Sequence, residues 1–284
     1  MIQLPIFGAL ALGAGTILEK VVLKRKKVNI KLYQTASFLS IVIIMLPLLY
    51  FFWKMTSPAF ELKNILIFLA VILFSIAGNL FTFYSLKWEK VSNIEPARIL
   101  EPLFTILLAI IFSFLISNQL YERDFNIILP ALIAGLTLIL SHIKKDHIKF
   151  NKYFLAAVAG SFFFALELVI SKLILNFYSP ISFYFIRCFF IFLISLLIFK
   201  PKFKKLDKKT SLIIFLTGCL WIIYRVIVYY GYLQIGIIFT TLMIMLGPMF
   251  VYLFAKIFLK EKVNYKSILS AIIIILCVLY AILS

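Results

Sequence analysis

The chain has 284 residues, is 64% apolar and has a mean hydropathy of +1.11, so it holds too little polar surface to cover a water-soluble domain of its size. The net charge of +18 does not point to nucleic acid, because the lysines lie in short loops between apolar runs. An all-α integral membrane protein remains. Ten apolar segments, each near the ~20 residues that cross a ~30 Å hydrocarbon core, are predicted at 4–23, 32–53, 62–86, 91–117, 125–143, 153–177, 180–199, 210–233, 235–259 and 265–283. They take up nearly the whole chain, so no separate soluble domain is expected. The first lacks a basic n-region and a clear cleavage site, and reads as a retained helix rather than a signal peptide.

In chain order, the first span carries Glu19 and Lys20 near its end. Lys20, like Lys172 in the sixth span, is expected to snorkel to the headgroups. The third span carries Asn79 and Tyr84. The fourth holds the sharpest constellation of the chain, Ile94-Glu95-Pro96-Ala97-Arg98-Ile99-Leu100-Glu101-Pro102. Arg98 falls about −60° and Glu101 about −120° around a helix from Glu95, so the three share one face. Pro96 and Pro102 each remove a backbone donor and loosen the helix at these charges. Freed carbonyls and carboxylates on a cavity wall can bind a cation or a proton; alternatively, the i,i+3 pairs Glu95–Arg98 and Arg98–Glu101 neutralise each other locally. His142 and His147 border the basic loop after the fifth span and read as a solvated edge. Glu167, central in the sixth span, cannot snorkel and should pair with Arg187 or Arg225, or sit protonated out of water. Arg225 lies deep in the eighth span among Trp221, Tyr224, Tyr229 and Tyr230, where a guanidinium can grip a carboxylate or phosphate. A purely structural Glu167–Arg225 pair is the rival reading. Cys188, Cys219 and Cys277 sit in separate apolar spans as small hydrophobes, so neither a disulfide nor a metal site is expected.

Loop charge is lopsided. Numbered by the helices they join, odd loops hold about 20 Lys/Arg, among them Lys24–Lys27, Lys144, Lys149 and Lys200–Lys209, and even loops about three. The positive-inside rule then puts odd loops in the cytoplasm, against anionic lipid headgroups, and both termini outside.

The chain also repeats itself. Ile17-Leu18-Glu19-Lys20-Val21-Val22 resembles Val169-Ile170-Ser171-Lys172-Leu173-Ile174, and Leu100-Glu101-Pro102-Leu103-Phe104 resembles Leu246-Gly247-Pro248-Met249-Phe250. Tyr84-Ser85-Leu86 is echoed by Tyr230-Gly231-Tyr232, and Asn79 holds the place of Arg225. The offset is about 146 residues, rising to about 152 in the first helix. Five helices followed by five more invert the second copy, which is the sequence mark of secondary transporters. The halves divide as 1–145 and 146–284.

The stretch from Tyr230-Gly231-Tyr232 through Leu246-Gly247-Pro248-Met249-Phe250 to Leu259-Lys260-Glu261-Lys262 resembles an EamA domain, the repeat unit of the drug/metabolite transporter superfamily. Ser182-Phe183-Tyr184-Phe185-Ile186-Arg187 matches the family's arginine on the second helix of a repeat. The first half departs from the pattern: Thr35 stands where Arg187 does in the second, and Glu122 lies farther beyond Pro102 than Glu261 beyond Pro248. The resemblance implies two EamA units over the chain, a cavity lined by spans 1, 3, 4, 6, 8 and 9, and spans 5 and 10 at the periphery. It also implies both termini in the cytoplasm, opposite to the loop charges.

The expected function is a secondary transporter of a small polar metabolite, amino-acid-like or otherwise zwitterionic or charged, in the cell membrane. It is either proton-coupled or a facilitator, and either monomer or homodimer. Its binding residues are expected among Glu95, Arg98, Glu101, Glu167, Arg225, Asn79, Tyr84, Trp221, Tyr224 and Tyr230. Three acids, Glu95, Glu101 and Glu167, face two bases, Arg98 and Arg225, leaving one carboxylate for a proton. No P-loop, His-Glu-x-x-His or nucleophile elbow occurs, so neither enzyme activity nor a cofactor is expected. A membrane-embedded enzyme, or a scaffold or lipid-handling protein that moves no solute, are the other classes.

Overall fold

The computed structural model describes residues 4–116, 121, 124–142, 151–260 and 265–283. Glu122, Lys144, Lys145, His147, Lys149, Glu261 and Lys262, and the side chain of His142, lie outside the described residues. Among the described residues there are twelve α-helices and no sheet: α1 (Leu4–Leu23), α2 (Ile30–Phe52), α3 (Leu62–Trp88), α4 (Val91–Arg98), α5 (Leu100–Leu115), α6 (Phe125–His142), α7 (Lys152–Leu175), α8 (Pro180–Phe199), α9 (Lys208–Gln234), α10 (Ile237–Ile244), α11 (Gly247–Leu259) and α12 (Tyr265–Leu283). Eight stretches are long and apolar enough to cross a membrane; α4 with α5 counts as one, Val91–Leu115, and α10 with α11 as another, Ile237–Leu259. Phe125–Thr137 in α6 and Ile272–Leu283 in α12 are shorter apolar helices.

Helices form because hydrocarbon offers the backbone no partner but itself. Helices α2, α7 and α8 start at a side-chain cap. Asn29 accepts from Leu32 N–H at 2.7 Å, Asn151 from Tyr153 and Phe154 N–H at 3.0 and 2.9 Å, and Ser179 from Ser182 N–H at 3.0 Å, with Pro180 following at the first helical position. Large apolar side chains point outward, such as Leu66, Leu69 and Leu73 on α3 and Leu276 and Leu279 on α12. Polar and small residues also point in, set within a core of large apolar side chains.

Close crossings fix how the helices run. Gly78 meets Phe164, and Gly160 meets Thr82, so α3 and α7 are antiparallel; a Cβ on Gly160 would stand 2.6 Å from the Thr82 hydroxyl and 3.2 Å from the Gly78 carbonyl. Gly8 meets Ile227 and Gly15 meets Trp221, so α1 and α9 are antiparallel as well. Gly13 beside Phe250 and Leu12 beside Gly247 make α1 and α11 parallel. On α2 and α8, Lys54 N–H donates to Ser182 Oγ at 2.9 Å at one end, and Lys31 lies over Phe199 at 5.7 Å at the other. The Lys20 side chain at the end of α1 reaches the carbonyls of Leu86 and Glu89 at the end of α3, so α1 and α3 run the same way. They run opposite to α7 and α9. Helices α6 and α12 pack on each other at the edge.

Two expectations are corrected here. Lys20 and Lys172 do not snorkel: they are 2% and 7% exposed, and Lys172 donates to the Tyr232 carbonyl as Lys20 does to Leu86 and Glu89. Both are drawn inward because the end of the third helix of each half leaves carbonyls without intrahelical partners, and an ammonium answers them better than distant headgroups do.

Candidate functional site: a charge-lined cavity where two helices break

The fourth crossing breaks where the prolines lie. Helix α4 stops at Arg98, Ile99 turns, and α5 restarts at Leu100; Pro102 has no N–H for the Arg98 carbonyl. Ser161 on α7 covers the gap, donating to Ala97 O at 3.0 Å with Arg98 O 3.5 Å away. The matching crossing in the second half breaks between α10 and α11, at Met245 and Leu246, just before Pro248.

Two neighbouring recesses meet at these breaks and share Leu12, Arg98, Glu101 and Tyr224. Each has ≈ 40 Å³ of space, room for a few waters. One is further lined by Glu19, Asn79, Trp221, Arg187 and Arg225, the other by Glu95, Thr105, Tyr232 and Thr241.

The charges around this space fall into two groups. In the first, Arg98 Nη1 lies 3.3 Å from Glu95 Oε2, and both terminal nitrogens of Arg98 reach Thr16 Oγ1 at 3.3 Å. Glu19, 2% exposed, accepts from the Tyr33 hydroxyl at 3.2 Å. In the second, Glu167 is fully buried between two guanidiniums: Arg187 Nη1 is 2.5 Å from Oε1, and Arg225 Nη1 is 3.4 Å from Oε2. Tyr229 donates to Glu167 Oε1 at 2.8 Å and accepts from Arg187 at 2.5 Å. Aromatic faces flank both cations, Tyr184 at 4.9 Å from Arg187, and Tyr224 and Phe164 at 5.3 and 5.4 Å from Arg225. The Glu167 group carries one acid and two bases, so it is net positive; the Glu19, Glu95, Arg98 and Glu101 group is net negative. Helix rise puts Glu19 and Glu95 about 6 Å from the helix ends on one side of the bundle, and Arg187 and Arg225 about 10–14 Å from the ends on the other.

Of the residues singled out in the sequence, Glu95, Arg98, Glu101, Asn79, Trp221, Tyr224 and Arg225 line the cavity, and Glu167 pairs with two arginines on its wall. Tyr84 and Tyr230 do not join them. Tyr84 packs on Tyr153 at 5.4 Å, and Tyr230 is 36% exposed in a separate surface recess with Gln234 and Leu4. Each lies five residues past a cavity residue, Asn79 or Arg225, hence about 140° around the helix. Tyr229 and Tyr232, four and seven past Arg225, fall nearer its face: Tyr232 lines the cavity and Tyr229 bonds Glu167 and Arg187. Sequence reasoning also underweighted Glu19 and left out Tyr33 and Tyr184. The cavity is wider than the resemblance implies: Ser37 and Phe38 of α2 and Tyr184 and Arg187 of α8 line it too. Among the described residues, α6 and α12 contribute none of the lining.

A helical bundle with interrupted helices around a buried polar space is an architecture that membrane transport proteins use. Residues 1–120 and 151–283 both match the model of the EamA-like transporter family, and the chain belongs to that family, as a multi-pass membrane protein. A solved structure described only as "Crystal structure of protein" is similar at a TM-score of 0.71 and 14% identity, over 99% of this chain and 97% of that one. At that identity the likeness concerns the fold alone. A search of curated proteins finds none that matches.

Proposed function

We propose that this chain is a secondary transporter that carries a small polar metabolite, amino-acid-like or otherwise zwitterionic or charged, across the cell membrane by alternating access. The observation that carries the reading is the cavity at the two helix breaks, with a net negative group toward one face and a net positive group toward the other. A charge inside a bilayer costs roughly 2.5–3.5 kcal/mol even on lenient scales, so such a lining persists where it serves a polar pathway. The moving parts are two inverted five-helix repeats, 1–145 and 146–284, in a chain of ten crossings. Their opposed directions are supported by α1 and α3 running against α7 and α9, and the mobile joints are the breaks at Ile99 and Met245.

Four carboxylates, Glu19, Glu95, Glu101 and Glu167, face three guanidiniums, Arg98, Arg187 and Arg225. One negative charge is therefore left for a substrate cation or a proton. Counterflow in proteoliposomes tests the transport reading: exchange of labelled solute down no net gradient supports it, and a scaffold or lipid-handling protein moves none. Repeating the assay with an imposed pH gradient tests coupling. Glu101→Gln and Glu167→Gln should then alter the pH dependence; full transport with an unchanged profile in both, provided they fold, assigns the charges to packing.

A further inference from the structure

One acid in the cavity makes no ion pair among the described residues, the nearby Arg98 being paired with Glu95. Glu19 lies one turn before the end of α1, is 2% exposed and lines the recess that also holds Trp221 and Arg225. Its Oε1 accepts from Tyr33; its Oε2 is buried with no hydrogen-bond partner, and no ion pair to Glu19 occurs among the described residues. The neighbouring cations are committed elsewhere. Arg98 is held by Glu95 and Thr16, and Lys20 turns to the carbonyls of α3. The Trp221 indole faces the same carboxyl and stands edge-on to Tyr224, ring centroids 5.5 Å apart.

A carboxylate out of water with an unfilled oxygen, set among aromatic rings, has the makings of an ammonium receptor. The carboxylate supplies the charge and the rings tolerate the alkyl groups around it. The second half of the chain does not build a copy. Ser171 holds the place of Glu19, and its hydroxyl turns back onto Glu167 O at 2.6 Å. The receptor is single, and the arginine group lies toward the opposite face.

We propose that Glu19, with Trp221 and Tyr33, is a binding subsite for an organic ammonium group, so that a bound solute points its ammonium at Glu19 and its anionic end at Arg225. The orientation rests on the transporter reading; the subsite itself does not.

The test is thermal unfolding of the full chain in detergent with benzylammonium as probe. Wild-type protein should gain stability saturably, and Glu19→Gln should bind at least tenfold more weakly. Glu19→Asp keeps the charge but withdraws it, and should bind with intermediate affinity; it replaces Glu19→Gln as the test if the latter does not fold. Trp221→Leu should weaken binding several-fold, which partition into detergent would not mimic. No saturable gain in the wild type, or equal gains in wild type and the Glu19 variants, overturns the subsite. Flux measurements separate the two readings: Glu19-dependent binding without flux of any solute removes transport and leaves the subsite. Flux of an amine-bearing solute unchanged in Glu19→Gln removes the subsite and leaves transport.

Discussion

Glu167 is the residue on which most of the buried charge depends, since it alone stands between Arg187 and Arg225. Removing one member of a buried ion pair leaves the others uncompensated, so Glu167→Gln is expected to lower stability by about 3–5 kcal/mol, read by denaturation in detergent. Glu167→Gln with Arg187→Gln should recover part of that loss, because it removes one of the two guanidiniums left without a carboxylate; a double variant as unstable as the sum would show that the charges act independently. At this scale the sequence was informative about which charges are buried and less so about direction. The pairing of Glu167 with an arginine was legible, because an acid mid-span has nowhere else to go. That it takes both was not, since spacing along one helix says nothing about distance to two others. Tyr230 stands out by its place in a motif, whereas the 100° step from Arg225 points to Tyr229, which bonds Glu167 and Arg187. Lys20 was misread because a lysine near a helix end snorkels only when nothing inside competes for it.

Among the elements, apolar runs were readable from length, and eight described stretches are long and apolar enough to cross a membrane. The runs holding Pro102 and Pro248 are broken helices, whereas Pro47 and Pro130 leave α2 and α6 continuous. The contacts between helices were not readable, because apolar runs look alike until small residues let two backbones meet. The α3–α7 crossing rests on such a contact, and Gly160→Leu is expected to force these helices apart and lose folded, monodisperse protein by size-exclusion chromatography. The two lysine clasps sit in matching places on opposite faces. Lys172→Met should strand the Tyr232 carbonyl at a cost of about 1–3 kcal/mol, and Lys20→Met should strand those of Leu86 and Glu89, each measured as a loss in melting temperature. At the α3–α4 junction, outside the spans, burial pushes the Glu89 carboxyl up, but hydrogen bonds from Lys90 N–H, Asn93 and Asn151 outweigh it and hold the group below its usual value of 4.5. Its contribution is complete above that value and fades as pH falls through the lower folded-state value. Glu89→Gln should therefore flatten the acid limb of the stability profile, and an unchanged limb would show that other carboxylates set it.

For the whole molecule, the loop charges predict that the face bearing Lys24–Lys27 and Lys200–Lys209 lies in the cytoplasm, opposite to the family's usual orientation. A cysteine at Lys204, in a background lacking Cys188, Cys219 and Cys277, should resist an impermeant maleimide in intact cells and react once they are opened. Labelling in intact cells would reverse the orientation. The same face bears the Arg25–Asp207 pair, 3.4 Å, and the Asn151–Glu89 contact. The separation of a net negative group from a net positive one across the bundle has an electrical consequence. It gives the pathway a standing dipole along the bilayer normal, its negative end toward the lysine-rich side. A membrane potential acts on such a dipole with roughly 2.3 kcal/mol per elementary charge per 100 mV carried fully across. A solute of zero net charge can therefore have voltage-sensitive kinetics, because rocking one half against the other displaces the protein's own charges even when the cargo moves none.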